Sequence, residues 1–147
     1  MSVAVDVARE GVRIALSESR VREIAVAVCR REKVNEALIS IAFVTNARIA
    51  RMNREFLNHS GATDVITFEL AEHDNEQKRP AIIGDIYIAP EVVRRNARAN
   101  GESVRTELTR VVVHGVLHVL GFTHAEGDTR TSGAMWRRQE ALVAALA

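Results

Sequence analysis

Apolar positions along the chain change period several times, and each change marks an element. Residues 3–7 and 12–16 are apolar-rich stretches parted by Arg9, Glu10 and Gly11, which predicts two short strands or a strand and a turn. From Ser17 the spacing lengthens to three and four. Val21, Ile24, Ala25 and Val28 form an apolar stripe, Arg20, Arg22, Glu23, Arg30 and Arg31 cover the wet side, and Ser17 or Ser19 supplies the cap of a helix. Residues 37–44, ALISIAFV, are short, continuous and β-branched, the pattern of a buried central strand. Thr45 or Asn46 then caps a helix reaching about Phe56. In residues 63–70, Val65, Thr67 and Glu69 alternate with Ile66, Phe68 and Leu70, the period of a half-buried strand. Residues 71–80 are polar and read as a solvated loop. Residues 82–89, IIGDIYIA, are another strand, in which Gly84 signals a bulge or the close approach of another backbone. Pro90 opens a helix that ends near Gly101, since a missing N–H costs nothing in the first turn. Residues 103–120 are the longest periodic segment, with Gly121 as a left-handed stop. A last helix from about Ser132 carries Met135, Trp136, Leu142, Val143 and Leu146, with Met135 and Trp136 assigned to the core. Strands interleaved with helices predict one α/β domain over residues 1–147, a small mixed sheet of about four strands packed by helices.

Composition narrows the chemistry. The 147 residues include one cysteine and five histidines. Cys29 alone makes neither an internal disulfide nor a cysteine zinc cluster, so a metal must be held by nitrogen or oxygen ligands, and the usage fits a reducing cytosol. Within its helix Cys29 reads as a structural thiol, with no second Cys or nearby His in sequence to activate it. Asp6, Arg9 and Glu10 interrupt any amino-terminal signal, and the longest apolar run is eight residues, so neither targeting nor membrane spanning is expected. Twenty basic against 19 acidic residues give a net charge of +1, which neither points to nucleic acid nor excludes it. Eighteen of the 20 basic residues are arginine, suited to bidentate phosphate or carboxylate recognition or else a reflection of genome composition.

Three of the five histidines fall in HGVLHVLGFTH, as His114, His118 and His124. On a helix, positions four apart differ by about 40° in azimuth and about 6 Å in rise, so His114 and His118 project side by side. Gly121 can end the helix and turn the chain back, bringing His124 in as a third ligand. Three neutral imidazoles leave one tetrahedral position open, the arrangement of a catalytic zinc. Glu107, seven residues before His114, either orients a ligand as an acceptor behind it or is a surface glutamate favoured by the helix dipole. The spacing matches the metzincin peptidases, HExxHxxGxxH, but Gly115 stands where those enzymes carry the glutamate general base. The metal-binding half of that motif is present without the proteolytic half.

The combination resembles the YbeY family, bacterial endoribonucleases of ribosomal RNA maturation with a signature close to HGxLHLxGYDH. MNREFLNHSGATDVITF over residues 52–68 is similar to the family's stretch of Asn, aromatic, Thr-Asp and Ser/Thr-Phe, and IIGDIYIA to its glycine-aspartate-isoleucine strand. Met135 and Gln139 fall where the family carries Met and Gln after the metal motif. Two positions depart. Leu57 replaces an arginine associated with the family's RNA function, and Thr123 replaces the aspartate before the third histidine. Arg51 or Arg54, up to two helical turns before Leu57, is a candidate to replace the lost cation in part, but the arginine's role is not carried over to either.

The resemblance implies a zinc-dependent, single-strand-specific endoribonuclease acting in 16S rRNA maturation and small-subunit quality control, cytoplasmic, with ribosomal RNA, the small ribosomal subunit and its assembly proteins as partners. Zn2+, one per chain, would be held by His114, His118 and His124, and would polarise a phosphoryl oxygen or lower the pKa of bound water to about 7. Asp128 and Glu126 are the proton acceptors nearest in sequence, or else exposed turn carboxylates. The candidate RNA-binding residues are Arg51, Arg54, Arg94, Arg95 and Arg98, the last three forming either a phosphate-facing patch or a solvated helix face. Most of the few aromatic residues fall in core-like patterns, so backbone and shape recognition is expected over base stacking. Two rival readings remain, a ribosome-assembly factor with a mainly structural metal, which Leu57 favours, and a zinc peptidase-like hydrolase, which Gly115 disfavours.

Overall fold

The computed structural model describes residues 2–70, 82–122 and 133–147. Among them lie four strands and five helices: β1 (Val3–Arg9), α1 (Glu18–Arg31), β2 (Ala37–Phe43), α2 (Asn46–Leu57), β3 (Val65–Glu69), β4 (Ile83–Ile88), α3 (Pro90–Ala99), α4 (Val104–Val119) and α5 (Gly133–Leu146). Residues 12–16 form no strand, which resolves the first ambiguity in favour of a single amino-terminal strand. The sheet order is β1-β2-β4-β3, with β1, β2 and β4 parallel and β3 antiparallel on the β4 edge.

Local chemistry sets the helix starts. Ser17, Thr45 and Ser103 each accept a hydrogen bond from the backbone N–H three residues on, at 3.0, 3.2 and 3.1 Å, satisfying a donor that the first turn would otherwise leave open. Pro90 opens α3 at its first turn, and Gly121, at φ +104°, follows α4 in a conformation only glycine adopts without strain.

The two faces of the sheet are covered unequally. Ile39, Ile41 and Phe43 of β2 and Ile86 and Ile88 of β4 are buried in one core with α1, α4 and α5 residues, including Val28, Leu108, Val112, Leu117 and Leu142. On the opposite face α2 covers one end, where Val44, Ile49, Met52 and Ile66 form a second cluster. β2 is central, as expected, but its burial alternates: Leu38 is 41% exposed and Ser40 is exposed as well. A continuous apolar run predicts cover on both faces, and among the described residues no helix covers Leu38.

Gly84 is a close-approach site, although the approaching group is a side chain. A methyl there would overlap Val119 Cγ1 and come within 2.7 Å of Cγ2, so Gly84 lets α4 settle onto β4. Of the two residues assigned to the core of α5, Met135 is buried, whereas Trp136 is half-buried beside a groove that Asn96, Asn100, Arg110 and Glu140 also line.

Candidate metal centre

α4 is buried around most of its circumference, and its polar residues therefore stand out as a stripe. Glu107, Arg110, His114 and His118 recur at three, four and four residues, one face of a helix. His114 and His118 are half-buried on adjacent turns, with ring centroids 4.6 Å apart and planes at 73°. The side-by-side projection expected from the sequence is thus present for two of the three histidines. His124, Asp128 and Glu126 lie outside the described residues, as does Thr123. Among the described residues no group of three or more His, Cys, Asp or Glu side chains is placed to hold a metal ion.

The acceptor behind His114 is Gln139. His114 Nδ1 and Gln139 Oε1 are 2.6 Å apart, and Gln139, only 6% exposed, in turn donates from Nε2 to Glu140 Oε2 at 3.0 Å. Arg110 grips both oxygens of Glu140, at 2.9 and 3.1 Å, and with Nη1 reaches Glu107 Oε1 at 2.6 Å and a carboxylate oxygen of Glu102. Neither reading of Glu107 describes its place. It is 7% exposed, which removes the surface alternative, and it pairs with Arg110, three links behind the acceptor Gln139 by way of Arg110 and Glu140.

This network is strongly polarised. For Glu140, burial works against the charged form, but hydrogen bonds from Arg110 and Gln139 and the charge of Arg110 outweigh it and hold the carboxyl below its ordinary value. Hydrogen bonds to Glu140 and then Glu102 hold Arg110 on its cationic side against partial burial. Burial pushes the Cys29 thiol, in the main core, up to about 11.

A small cavity of about 60 Å³ opens beside His114, and its walls include Asp64, Glu107, Arg110 and Gln139. Asp64 precedes β3, where its own carbonyl accepts from Ala89 N at 3.0 Å. Sequence reasoning passed over it as a site residue, although the Thr-Asp pair was part of the family resemblance. The flank of α4 next to the histidines is packed against the sheet at Gly115. A Cβ at Gly115 would lie 2.9 Å from Ile86 Cγ2 and 3.6 Å from Val65 Cγ2, so position 115 faces the sheet.

The cationic candidates scatter. Arg51 and Arg54 are exposed on α2, Arg95 and Arg98 on α3, while Arg94 is half-buried and donates from Nη2 to the Arg13 carbonyl at 2.5 Å. Arg94 is therefore anchored to the fold, and only its neighbours present free-standing faces. The aromatic residues also depart from the core-like assignment. Phe56 is 63% exposed and meets Phe68 edge to face at 5.6 Å, and Phe68 meets Tyr87 at 5.9 Å, along a groove of about 460 Å³ flanked by Arg48 and Arg51.

Histidine donors suit the metal that the motif implies. Imidazole is a ligand for zinc and several other divalent ions, and the Gln139 contact engages Nδ1 of His114, leaving Nε2 as its donor. The fold and site define a small α/β domain that displays an imidazole pair from a helix buried against a mixed sheet. The chain belongs to the YbeY family: a family profile described as Endoribonuclease YbeY matches residues 6–147. Relatives carrying that name include a protein of Syntrophus aciditrophicus, 27% identical over 97% of this chain and 89% of its own length. One from Thermotoga petrophila is 32% identical over 77% of this chain and 70% of its own, and one from Mycolicibacterium gilvum is 34% identical over 78% and 68%. A solution structure from Thermotoga maritima superposes with a TM-score of 0.67 at 26% identity, covering 97% of this chain and 88% of that one.

Proposed function

We propose that this chain is a zinc-dependent, single-strand-specific endoribonuclease of ribosomal RNA processing, acting in the cytoplasm in 16S rRNA maturation and small-subunit quality control. Family membership supports the RNA-cleaving activity. The observation that carries the metal is the His114–His118 pair, set on adjacent turns with the Nδ1 of His114 already engaged by Gln139. His124 completes the ligand set, one Zn2+ per chain. When bound, zinc supplies a positive charge beside the scissile phosphate and lowers the pKa of a bound water to about 7.

The chain's own residues do the rest. His114 and His118 hold the site against the rigid sheet, and Asp64, in the cavity beside His114, joins Asp128 and Glu126 as a proton acceptor for the attacking water. Arg51, Arg54, Arg95 and Arg98 are the cations available to the RNA backbone, while Arg94 contributes through its remaining donors. The partners are ribosomal RNA, the small subunit and its assembly proteins.

One observation favours a second reading, an assembly factor with a mainly structural metal: Leu57, 42% exposed, occupies the position where the resemblance expects arginine. A peptidase-like reading finds nothing at Gly115, whose face is packed on Ile86. Replacing His114 and His118 together with Ala is expected to abolish bound zinc by elemental analysis and to reduce cleavage of unstructured RNA at least about 100-fold. Zinc-free double variant cleaving at the wild-type rate would refute the reading. An RNA-inert wild type that still co-sediments with ribosomal particles would favour the assembly factor, and cleavage of casein instead of RNA would favour the peptidase.

A further inference from the structure

The contacts of Gln139 fix more than the place of His114. A carboxylate only accepts hydrogen bonds, so Glu140, held at both oxygens by Arg110, determines which end of the Gln139 amide faces it. The NH2 group must face Glu140, 3.0 Å away, and the amide oxygen must then face His114, 2.6 Å away. An amide oxygen also only accepts, so the proton of a neutral His114 lies on Nδ1 and the lone pair on Nε2. Flipping the amide would set its oxygen against the Glu140 carboxylate, two acceptors facing each other, and would leave its NH2 to donate to an unprotonated Nδ1; the Glu140 contact is what excludes that arrangement and the opposite tautomer with it. The direction of every hydrogen bond from Arg110 to His114 is set by the fixed donors of the guanidinium.

We propose that Gln139 is a positioning residue, oriented by the Glu140–Arg110 pair, which holds His114 in its Nδ1–H tautomer and so presents Nε2 for metal binding before any metal arrives. The proposal rests on the reading of His114 as a ligand, but the tautomer it requires belongs to the protein without metal. Its position in the fold is consistent with this. Gln139 lies on the α5 face that also carries Met135, Leu142 and Val143, all buried, where an apolar side chain would otherwise pack. A buried amide there is tolerable only if both of its ends are satisfied, and the contacts with His114 and Glu140 satisfy both.

The test uses Gln139→Leu, which keeps volume but removes both contacts, and Glu140→Gln, which leaves the His114 contact in place while removing the charge that orients the amide. Long-range 1H–15N spectra of the metal-free protein report the tautomer, and competition of Zn2+ against a chromophoric chelator reports affinity. Wild type is expected to show the Nδ1–H form of His114. Gln139→Leu should lose that preference and bind Zn2+ about 10- to 100-fold more weakly, with a smaller loss in Glu140→Gln. An unchanged tautomer and affinity in both variants would overturn the proposal. Should Gln139→Leu fail to fold, Glu140→Gln decides by the same two readouts. A wild type that binds no Zn2+ would refute the metal reading, and the tautomer spectra alone would then decide for or against the role of Gln139.

Discussion

Gly115 shows how one missing side chain separates this site from a peptidase. A Cβ there would come within 2.9 Å of Ile86 Cγ2, so a larger residue requires the Ile86 side chain or α4 itself to shift. Gly115→Ala is expected to cost about 1–3 kcal/mol in chemical denaturation, typical of overpacking a tight core, and Gly115→Glu more. Gly84→Ala, which drives a methyl into Val119, should behave alike. Unchanged midpoints in both would contradict the packing described. These contacts could not be read from sequence, which marks a glycine but not what lies over it. Gln139 is the opposite case. It is a polar residue in the stripe of Met135, Leu142 and Val143, a signal open to sequence reading, yet periodicity alone does not say which polar group on another helix it meets.

Helix α4 joins core to chemistry; of its stripe, Glu107, His114 and His118 were read from the spacing of the sequence, and Arg110 between them was not. The partners of that stripe were not, because Glu102 precedes the helix and Glu140 comes from α5. The network they form has a pH signature. Arg110 and Gln139 keep the folded Glu140 carboxyl below its ordinary value, so the stability it contributes is complete above the ordinary carboxylate range and is lost as pH falls through the folded value. Arg110→Met leaves Glu102, Glu107 and Glu140 without their shared cation and removes from Glu140 the hydrogen bond and charge that hold its carboxyl low. The variant should be destabilised at neutral pH, and its deficit relative to wild type should shrink as pH falls below the ordinary carboxyl value of 4.5 toward the lowered value of Glu140. A deficit that stays constant from pH 7 to pH 3 would contradict this. The strand elements were read well from alternation, except that the continuous run of β2 concealed an open face at Leu38 and Ser40. Apolar runs record composition, whereas cover depends on where distant helices fall.

Across the whole molecule the charge is nearly balanced, and exposed arginines are spread over many elements, with Arg22, Arg30 and Arg31 on α1 and Arg105 on α4 besides those of α2 and α3. Leu57 sits exposed on α2, next to the exposed Phe56. Leu57→Arg is expected to tighten binding of single-stranded RNA at low salt and to steepen the slope of log K against log salt by about 0.7, one phosphate contact on a single strand. No change in slope would place the RNA path away from α2. The mixed sheet, the helix order and the histidine pair all followed from pattern and motif. The proposed third ligand His124 and the proton-acceptor candidates Glu126 and Asp128 fall in residues 123–132, outside the described residues. The most direct test of the account is the rate of single-stranded RNA cleavage measured against bound zinc, with metal-free protein titrated by Zn2+. The account predicts no cleavage without zinc and a rate that rises linearly to a plateau at one ion per chain; full-rate cleavage by the metal-free protein would contradict it.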